Sequence, residues 1–363
     1  MKVCHVINTL NRGGAENHLF KLCSEQIKNN LAVHIVALGP DTKNIYSTET
    51  DLLDIGVKIH RLKGPRALNI FSYFRLRVIF NTEKFNIIHS HQPRSDYMVY
   101  IVKKYFKIKN NFKWIVSIHG KYDTYLDNTF NSRLKIHLFR KVLLCWESSD
   151  NVIVISNEVK DWLNKLNKNI EPNVINYWIE NKIKQKTHAN KEITFGFLGR
   201  LNKNKGIEDL IYSLNNVNFD FQCLVGGVGT KGYLKYLDSK ISKKNKNNFN
   251  FLGYVENQES FFNSIDIFIF PSFSEGLGLV LLEALSYKKL CITRDKPPMN
   301  QFVSDKNGYL FNNLEELTFQ IELASKEFKK ESIYSDKINN IEVILKDYDV
   351  KVLYPLIEKV YKS

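Results

Sequence analysis

The sequence lacks any apolar run of about 18 residues, the length a helix needs to cross a bilayer. Its start offers only the short apolar run 3–7, interrupted by His5, where a secretory leader needs roughly 7 to 15 apolar residues. Cysteine is sparse and scattered: Cys4, Cys23, Cys145, Cys223 and Cys291 form no C-x-x-C pair and are odd in number. That excludes a disulfide framework and predicts reduced core residues. Short-period repeats are absent, as is low complexity beyond the Lys/Asn-rich loop 242–248. Together these absences predict a cytoplasmic protein, peripheral to a membrane at most.

What is present suits a globular chain. With 363 residues, 44% of them hydrophobic and 25% charged, there is material for two cores rather than one, at about 150 residues per domain. The net charge is +14, and it is unevenly placed: residues 61–141 hold 17 Lys and Arg against four acids, a net of +13. Basic residues alternate there with aromatic and aliphatic ones, as in FSYFRLRVIF (71–80) and RLKIHLFRKVLL (133–144). That interleaving predicts contact with an anionic membrane surface.

Short β-branched runs at 3–7, 32–38, 57–60, 87–90 and 114–118 alternate with segments of helical length, followed by 151–155 and 174–175. After a polar stretch the alternation restarts at 193–198, 221–225, 250–252, 267–270 and 290–293. The pattern predicts an α/β protein of two tandem doubly wound, Rossmann-like domains with a ligand cleft between them. The expected domains are 1–175 and 193–345, joined by a linker at 176–192. A terminal helix, 346–363, is able to cross back to the first domain.

The segment most informative about chemistry is PSFSEGLGLVLLEAL (271–285), directly after a buried strand. Glu275 stands at the strand-to-helix turn, Gly276 and Gly278 let a ligand approach the backbone, and Glu283 lies in the helix. Gly278 and Leu279 lie at the start of the expected helical segment 277–286, whose free N–H groups suit a diphosphate. Eight residues of helix rise about 12 Å, so the two carboxylates would reach hydroxyls on either side of a bound diphosphate.

This segment resembles the E-x7-E signature of glycosyltransferase family 4. The resemblance implies that Glu275 contacts the transferred sugar and Glu283 the ribose. FGFLGRLNKNKG (195–206) is similar to the family's G-R-L-x-x-x-K-G, which implies that Arg200 and Lys205 bind the donor diphosphate and stabilise charge on the leaving group. NRGGAE (11–16) is similar to the family's G-G-A-E loop, with Gly13 and Gly14 closing over phosphates and acceptor. SIHG (117–120) is similar to the His turn that faces the donor sugar, which selects His119 over His89 and His91. Weaker matches place Gly227, in GGVG (226–229), and Val255, in FLGYV (251–255), near the nucleobase. The chain departs from the pattern at VINY (174–177), where Asn-Gly is usual, and around Gly229, where an Asp is usual.

As a whole the resemblance implies the GT-B fold and a retaining hexosyltransferase. Its donor would be a nucleotide diphosphate sugar, with UDP expected, and its acceptor a lipid-linked bacterial surface polysaccharide such as O-antigen or capsule. No cofactor and no metal are expected: the D-x-D at 347–349 reads as surface charge in a helical tail, and activity should survive EDTA. Nucleic acid is not an expected partner. Two other classes stay open on residues alone. One is a nucleotide-sugar epimerase or oxidoreductase on the same architecture, although no G-x-G-x-x-G is present. The other is a non-catalytic binder of membrane or nucleic acid using the basic first half.

Overall fold

The computed structural model describes residues 1–39, 47–62, 70–122, 132–180 and 192–363. They form two compact units, Met1–Tyr177 with Leu353–Ser363, and Trp178–Val352.

The first unit carries strands β1 (Lys2–Ile7), β2 (Ala32–Ala37), β3 (Lys58–Arg61), β4 (Ile87–Ser90), β5 (Lys113–Ile118), β6 (Asn151–Val154) and β7 (Asn173–Val174). They build one parallel sheet in the order β3-β2-β1-β4-β5-β6-β7, so the chain reverses its direction of travel between β1 and β4. The second unit carries β8 (Ile193–Leu198), β9 (Phe221–Gly226), β10 (Phe249–Gly253), β11 (Ile267–Phe270), β12 (Leu290–Arg294) and β13 (Gly308–Phe311), ordered β10-β9-β8-β11-β12-β13. Its reversal falls between β8 and β11. In open α/β sheets the loops at the carboxyl ends of such a strand pair splay apart and leave room for a ligand.

Both faces of each sheet are covered, which is why the central strands read as continuous apolar runs. All four residues of IFIF in β11 are buried, and in β8 all six are. Phe195, Phe197, Phe221, Ile267 and Phe311 meet in the second unit's core; Ile7, Leu19, Val33, Ile35 and Leu52 form part of the first's. Polar side chains start the helices: Thr230, Asn257 and Asn313 each accept a backbone N–H of the first turn.

Three features differ from expectation. The strand β13 was not anticipated; it pairs parallel with β12 at the sheet edge, where a short run beside charged loops carries little periodic signal. The second unit extends to Val352 rather than 345, and the last eleven residues join the first unit. Of the expected linker 176–192, residues 181–191 lie outside the described residues, while Tyr177, Trp178 and Ile179 are 4%, 3% and 4% exposed and thus packed rather than solvated. Of the two basic segments, 71–80 is described in full, whereas in 133–144 the side chains of 133–136 and 138 lie outside the description. Among the described residues, no helix is long and apolar enough to cross a membrane.

Candidate functional site

In the second unit the site is built from the loops after β8 and β11, the strands flanking the sheet's reversal. The β8 loop continues through a short 3-10 turn, Lys203–Lys205, into the helix Ile207–Asn215. Gly206 sits between them with φ +68°, and a Cβ there would lie 2.2 Å from the carbonyl oxygen of Pro271. Glycine is therefore what allows the two loops to touch. Their backbones are stitched together: Phe273 N donates to Asn204 O at 2.9 Å, and Ser272 Oγ donates to the same carbonyl at 3.2 Å.

That contact brings Lys205 and Glu275 together. Lys205 Nζ lies 2.5 Å from Glu275 Oε1, with side chains only 15% and 12% exposed, and 5.9 Å from the centre of the Phe270 ring. Two residues 70 positions apart thus form one partly desolvated ion pair. Arg200 sits exposed in the same β8 loop and makes no ion pair with Glu275 among the described residues.

Gly278, with φ +83°, caps the helix Leu279–Ser286, and Leu279 is its first residue. Glu275 precedes this helix by four residues and Glu283 lies one turn inside it. The separation of the two carboxylates is consequently not the eight-residue helical rise expected from sequence. Both do belong to the same turn-and-helix segment, Glu283 on the half-buried face of a helix otherwise packed through Leu281, Leu282, Ala284 and Leu285.

Gly227 and Val255 come from neighbouring loops. Gly227 has φ +137°, and a Cβ on it would fall 1.8 Å from Gly199 O. Its N–H donates to Gly253 O at 2.6 Å, and Val255 packs its Cγ2 against Gly226. The ends of β8, β9 and β10 are thus drawn together around Gly199. One contributor escaped the sequence reading: Arg294, at the end of β12, pairs with Asp209 at 2.5 Å and lays its guanidinium 4.1 Å from the Phe273 ring, propping the loop that carries Glu275. A charge closing an apolar run was its only sequence signal.

In the first unit Gly13 caps, and Gly14 opens, the helix Gly14–Lys28 after β1. Gly13 has φ −153°, an extended conformation open to any residue; the constraint is spatial, because a Cβ would lie 2.7 Å from Glu16 Oε2. Glu16 in turn accepts from Gln92 Nε2 at 3.1 Å, linking the loops after β1 and β4. Arg12 forms an ion pair with Asp51.

His119 follows β5, and it is the outer member of a histidine cluster that sequence spacing did not reveal. His5, His89 and His91 are 0%, 1% and 2% exposed, and their ring nitrogens lie within 4.8 Å of one another. Each of those nitrogens has a protein partner, so the group is saturated internally. Burial pushes the His119 imidazolium down to about 3 and His5 to about 4. A second group joins His34, His60 and Glu83; there Lys58 and Lys2 already hold the carboxylate, at 2.6 and 3.3 Å, and keep it near 2 against the cost of burial. Two ammonium groups in that position oppose a metal cation.

Comparison with known proteins converges on this plan. Residues 12–177 match the family described as Glycosyltransferase Family 4, and residues 179–339 the family described as Glycosyl transferases group 1. Over 311 residues the chain is 25% identical to the O-antigen biosynthesis glycosyltransferase WclY of Escherichia coli, covering 82% of this chain and 81% of that protein. Over 137 residues it is 28% identical to the capsular polysaccharide biosynthesis glycosyltransferase CapM of Staphylococcus aureus, covering 36% of each. The crystal structure of Anabaena Alr3699/HepE in complex with UDP-glucose superposes with a TM-score of 0.82 at 16% identity over 100% of both chains, a likeness of fold.

Proposed function

Because this chain belongs to the glycosyltransferases, family 4 type in its first half and group 1 type in its second, we propose that it builds a bacterial surface polysaccharide. It would transfer a hexosyl or N-acetylhexosaminyl group from a UDP-sugar to a lipid-linked glycan, with retention of configuration and without a metal. The observation that carries the reading is the Lys205–Glu275 pair at the sheet reversal of the second unit. A cation and a carboxylate held together out of water can separate onto the two halves of a nucleotide sugar, the ammonium onto the diphosphate and the carboxylate onto a sugar hydroxyl. Arg200, exposed in the same loop as Lys205, adds a second cation, and Glu283 takes the ribose hydroxyls. Gly278 and Leu279 present helix N–H groups to phosphate, while Gly227 and Val255 border the base. Gly13, Gly14 and His119 act from the first unit.

In the reaction the bond from the anomeric carbon to the phosphate oxygen breaks, and a bond to the acceptor oxygen forms on the same face. The acceptor proton passes to the departing phosphate oxygen, whose charge Lys205 and Arg200 offset. No enzyme nucleophile is consumed. The names of the Escherichia coli and Staphylococcus aureus relatives support the polysaccharide assignment, and the UDP-glucose complex of the Anabaena protein supports the donor.

Attachment to a lipid surface is part of the reading. On the helix Ile70–Glu83, Ser72, Tyr73, Leu76 and Phe80 pack inward, while Phe71, Phe74 and Val78 stand 70%, 50% and 57% exposed around Arg75. Apolar side chains at i, i+3 and i+7 with a central cation fit the boundary of an anionic bilayer.

A transfer screen tests all of this: purified protein with UDP-, GDP- and ADP-sugars and a lipid-linked acceptor, with and without EDTA, on anionic and neutral vesicles. Sugar transfer from a UDP-sugar that survives EDTA and is favoured by anionic vesicles is expected. Strict dependence on Mg²⁺ or Mn²⁺, or release of an epimerised free sugar without acceptor, would overturn the mechanism.

A further inference from the structure

The ring nitrogens of the buried histidines form a directed chain that begins at one amide. Gln26 turns its Nε2 to Tyr361 Oη at 2.9 Å and its Oε1 to His5 Nε2 at 2.8 Å. An amide oxygen can only accept, so His5 carries its proton on Nε2 and leaves Nδ1 as a lone pair. His5 Nδ1 lies 2.9 Å from His91 Nε2, which must therefore donate. The same alternation continues: His91 Nδ1 accepts from His119 Nε2 at 3.1 Å, and His119 Nδ1 is left to accept from the hydroxyl of Tyr177. A second branch obeys the same rule, Tyr361 donating to His89 Nδ1 at 2.8 Å and His89 Nε2 to Ser117 Oγ at 2.7 Å.

Every ring on the chain is thus neutral and of one tautomer, and the chain ends at Tyr177. That residue is 4% exposed, and its ring stacks on His18 with centroids 3.9 Å apart and planes 15° from parallel.

We propose that Tyr177 is a positioning residue for sugar transfer: its hydroxyl donates to His119 Nδ1 and holds that ring in one plane as the neutral Nε2–H tautomer. The inference rests on the role given to His119 above. An imidazole with both nitrogens engaged cannot act as a proton donor or acceptor toward substrate without breaking one of these bonds. His119 then contributes shape and a fixed dipole, and the transfer rate carries no imidazole titration. The groups around the pair do not reverse this. His5, His89 and His91 are neutral neighbours from β1, β4 and the loop after it. His18 and Glu16 face the pair from the helix Gly14–Lys28, with Lys21 near His18, and Tyr122 faces it from the loop after β5.

Two-bond ¹H–¹⁵N spectra of the full-length protein read the tautomer directly, alongside kcat and KM from pH 5.5 to 8.5. Wild-type His119 should show the neutral Nε2–H pattern throughout and a rate profile without an imidazole limb. Tyr177→Phe keeps the ring over His18 but removes the donor; the His119 signals should move toward a mixture of tautomers, and kcat should fall roughly tenfold while UDP affinity is unchanged. Tyr177→Gly admits water, so His119 should titrate nearer its ordinary value and the profile should gain an acid limb near pH 6. An Nδ1–H tautomer in the wild type, or Tyr177→Phe spectra and rates matching the wild type, would overturn the proposal. So would full turnover by His119→Ala. Failure of the transferase reading is a different result, an absence of nucleotide binding and sugar transfer in the wild-type protein.

Discussion

At the scale of single residues, the proposed chemistry of the pair Lys205–Glu275 and its contribution to stability are separable. Removing one partner leaves the other charged group in a site only 12% to 15% exposed, which costs on the order of 1–3 kcal/mol. Lys205→Ala should therefore melt earlier and lose at least 100-fold in turnover. The double variant with Glu275→Ala should regain much of the stability and none of the activity; calorimetry and a transfer assay decide it. Asp96 provides a pH test. Fully buried and accepting from Trp146 Nε1 at 2.8 Å, it is pushed up to about 7 by burial. A carboxyl raised in the folded state is stabilising while protonated, so its contribution is complete below about pH 4 and is lost as pH rises through about 7. The loss is roughly 1.4 kcal/mol per pH unit across that window. Asp96→Asn should flatten the dependence, as read from urea midpoints at pH 5 and pH 8; parallel curves for the two proteins would sink the assignment. Glu275, Glu283, Arg200 and Lys205 could be picked out from the sequence because their motifs are local. The union of Lys205 with Glu275, and the histidine chain, could not, since their members lie on separate strands and loops.

At the scale of elements, glycines decide how closely the loops approach. Gly206→Ala would combine a left-handed φ with a Cβ 2.2 Å from the Pro271 carbonyl, so backbone must move. We expect a loss of about 2 kcal/mol or more and a higher donor KM, because the displaced loop carries Glu275. Gly232→Ala is the control: a Cβ there meets nothing within 4 Å on the helix Lys231–Lys240, and it should be neutral or slightly stabilising. Equal thermal shifts in the two variants would contradict this account. Most strands were legible because buried parallel strands are unbroken β-branched and aromatic runs, as in 193–198 and 267–270. The strand Gly308–Phe311 escaped because four residues at a sheet edge leave almost no pattern. The eight residues from Glu275 to Glu283 are not all helical for a related reason: the exact start of the helix, at Gly278, is set by the backbone, where φ turns positive.

At the scale of the whole molecule, the chain ends by returning to the unit it began in. Leu353, Tyr354, Ile357, Val360 and Tyr361 are all under 8% exposed, and Tyr361 joins Gln26 to His89. Burial of such side chains contributes about 1.5–3 kcal/mol each, comparable in sum to the whole stability of a domain. Deleting residues 353–363 should abolish cooperative unfolding of the first unit while the second still melts as one; two preserved transitions by calorimetry would show the helix to be dispensable. The sequence alone determined the α/β class, the division into two sheets, the concentration of positive charge in the first half and the candidates for the donor side. Each of those is written in periodicity or in a short contiguous motif. Only the tertiary structure decided which cation meets which carboxylate, that seven histidine, glutamine and tyrosine side chains hydrogen-bond in one direction, and that the last helix belongs with the first strand. Those are relations between residues 21 to 335 positions apart on separate strands, helices and loops, and chain periodicity carries no information about them.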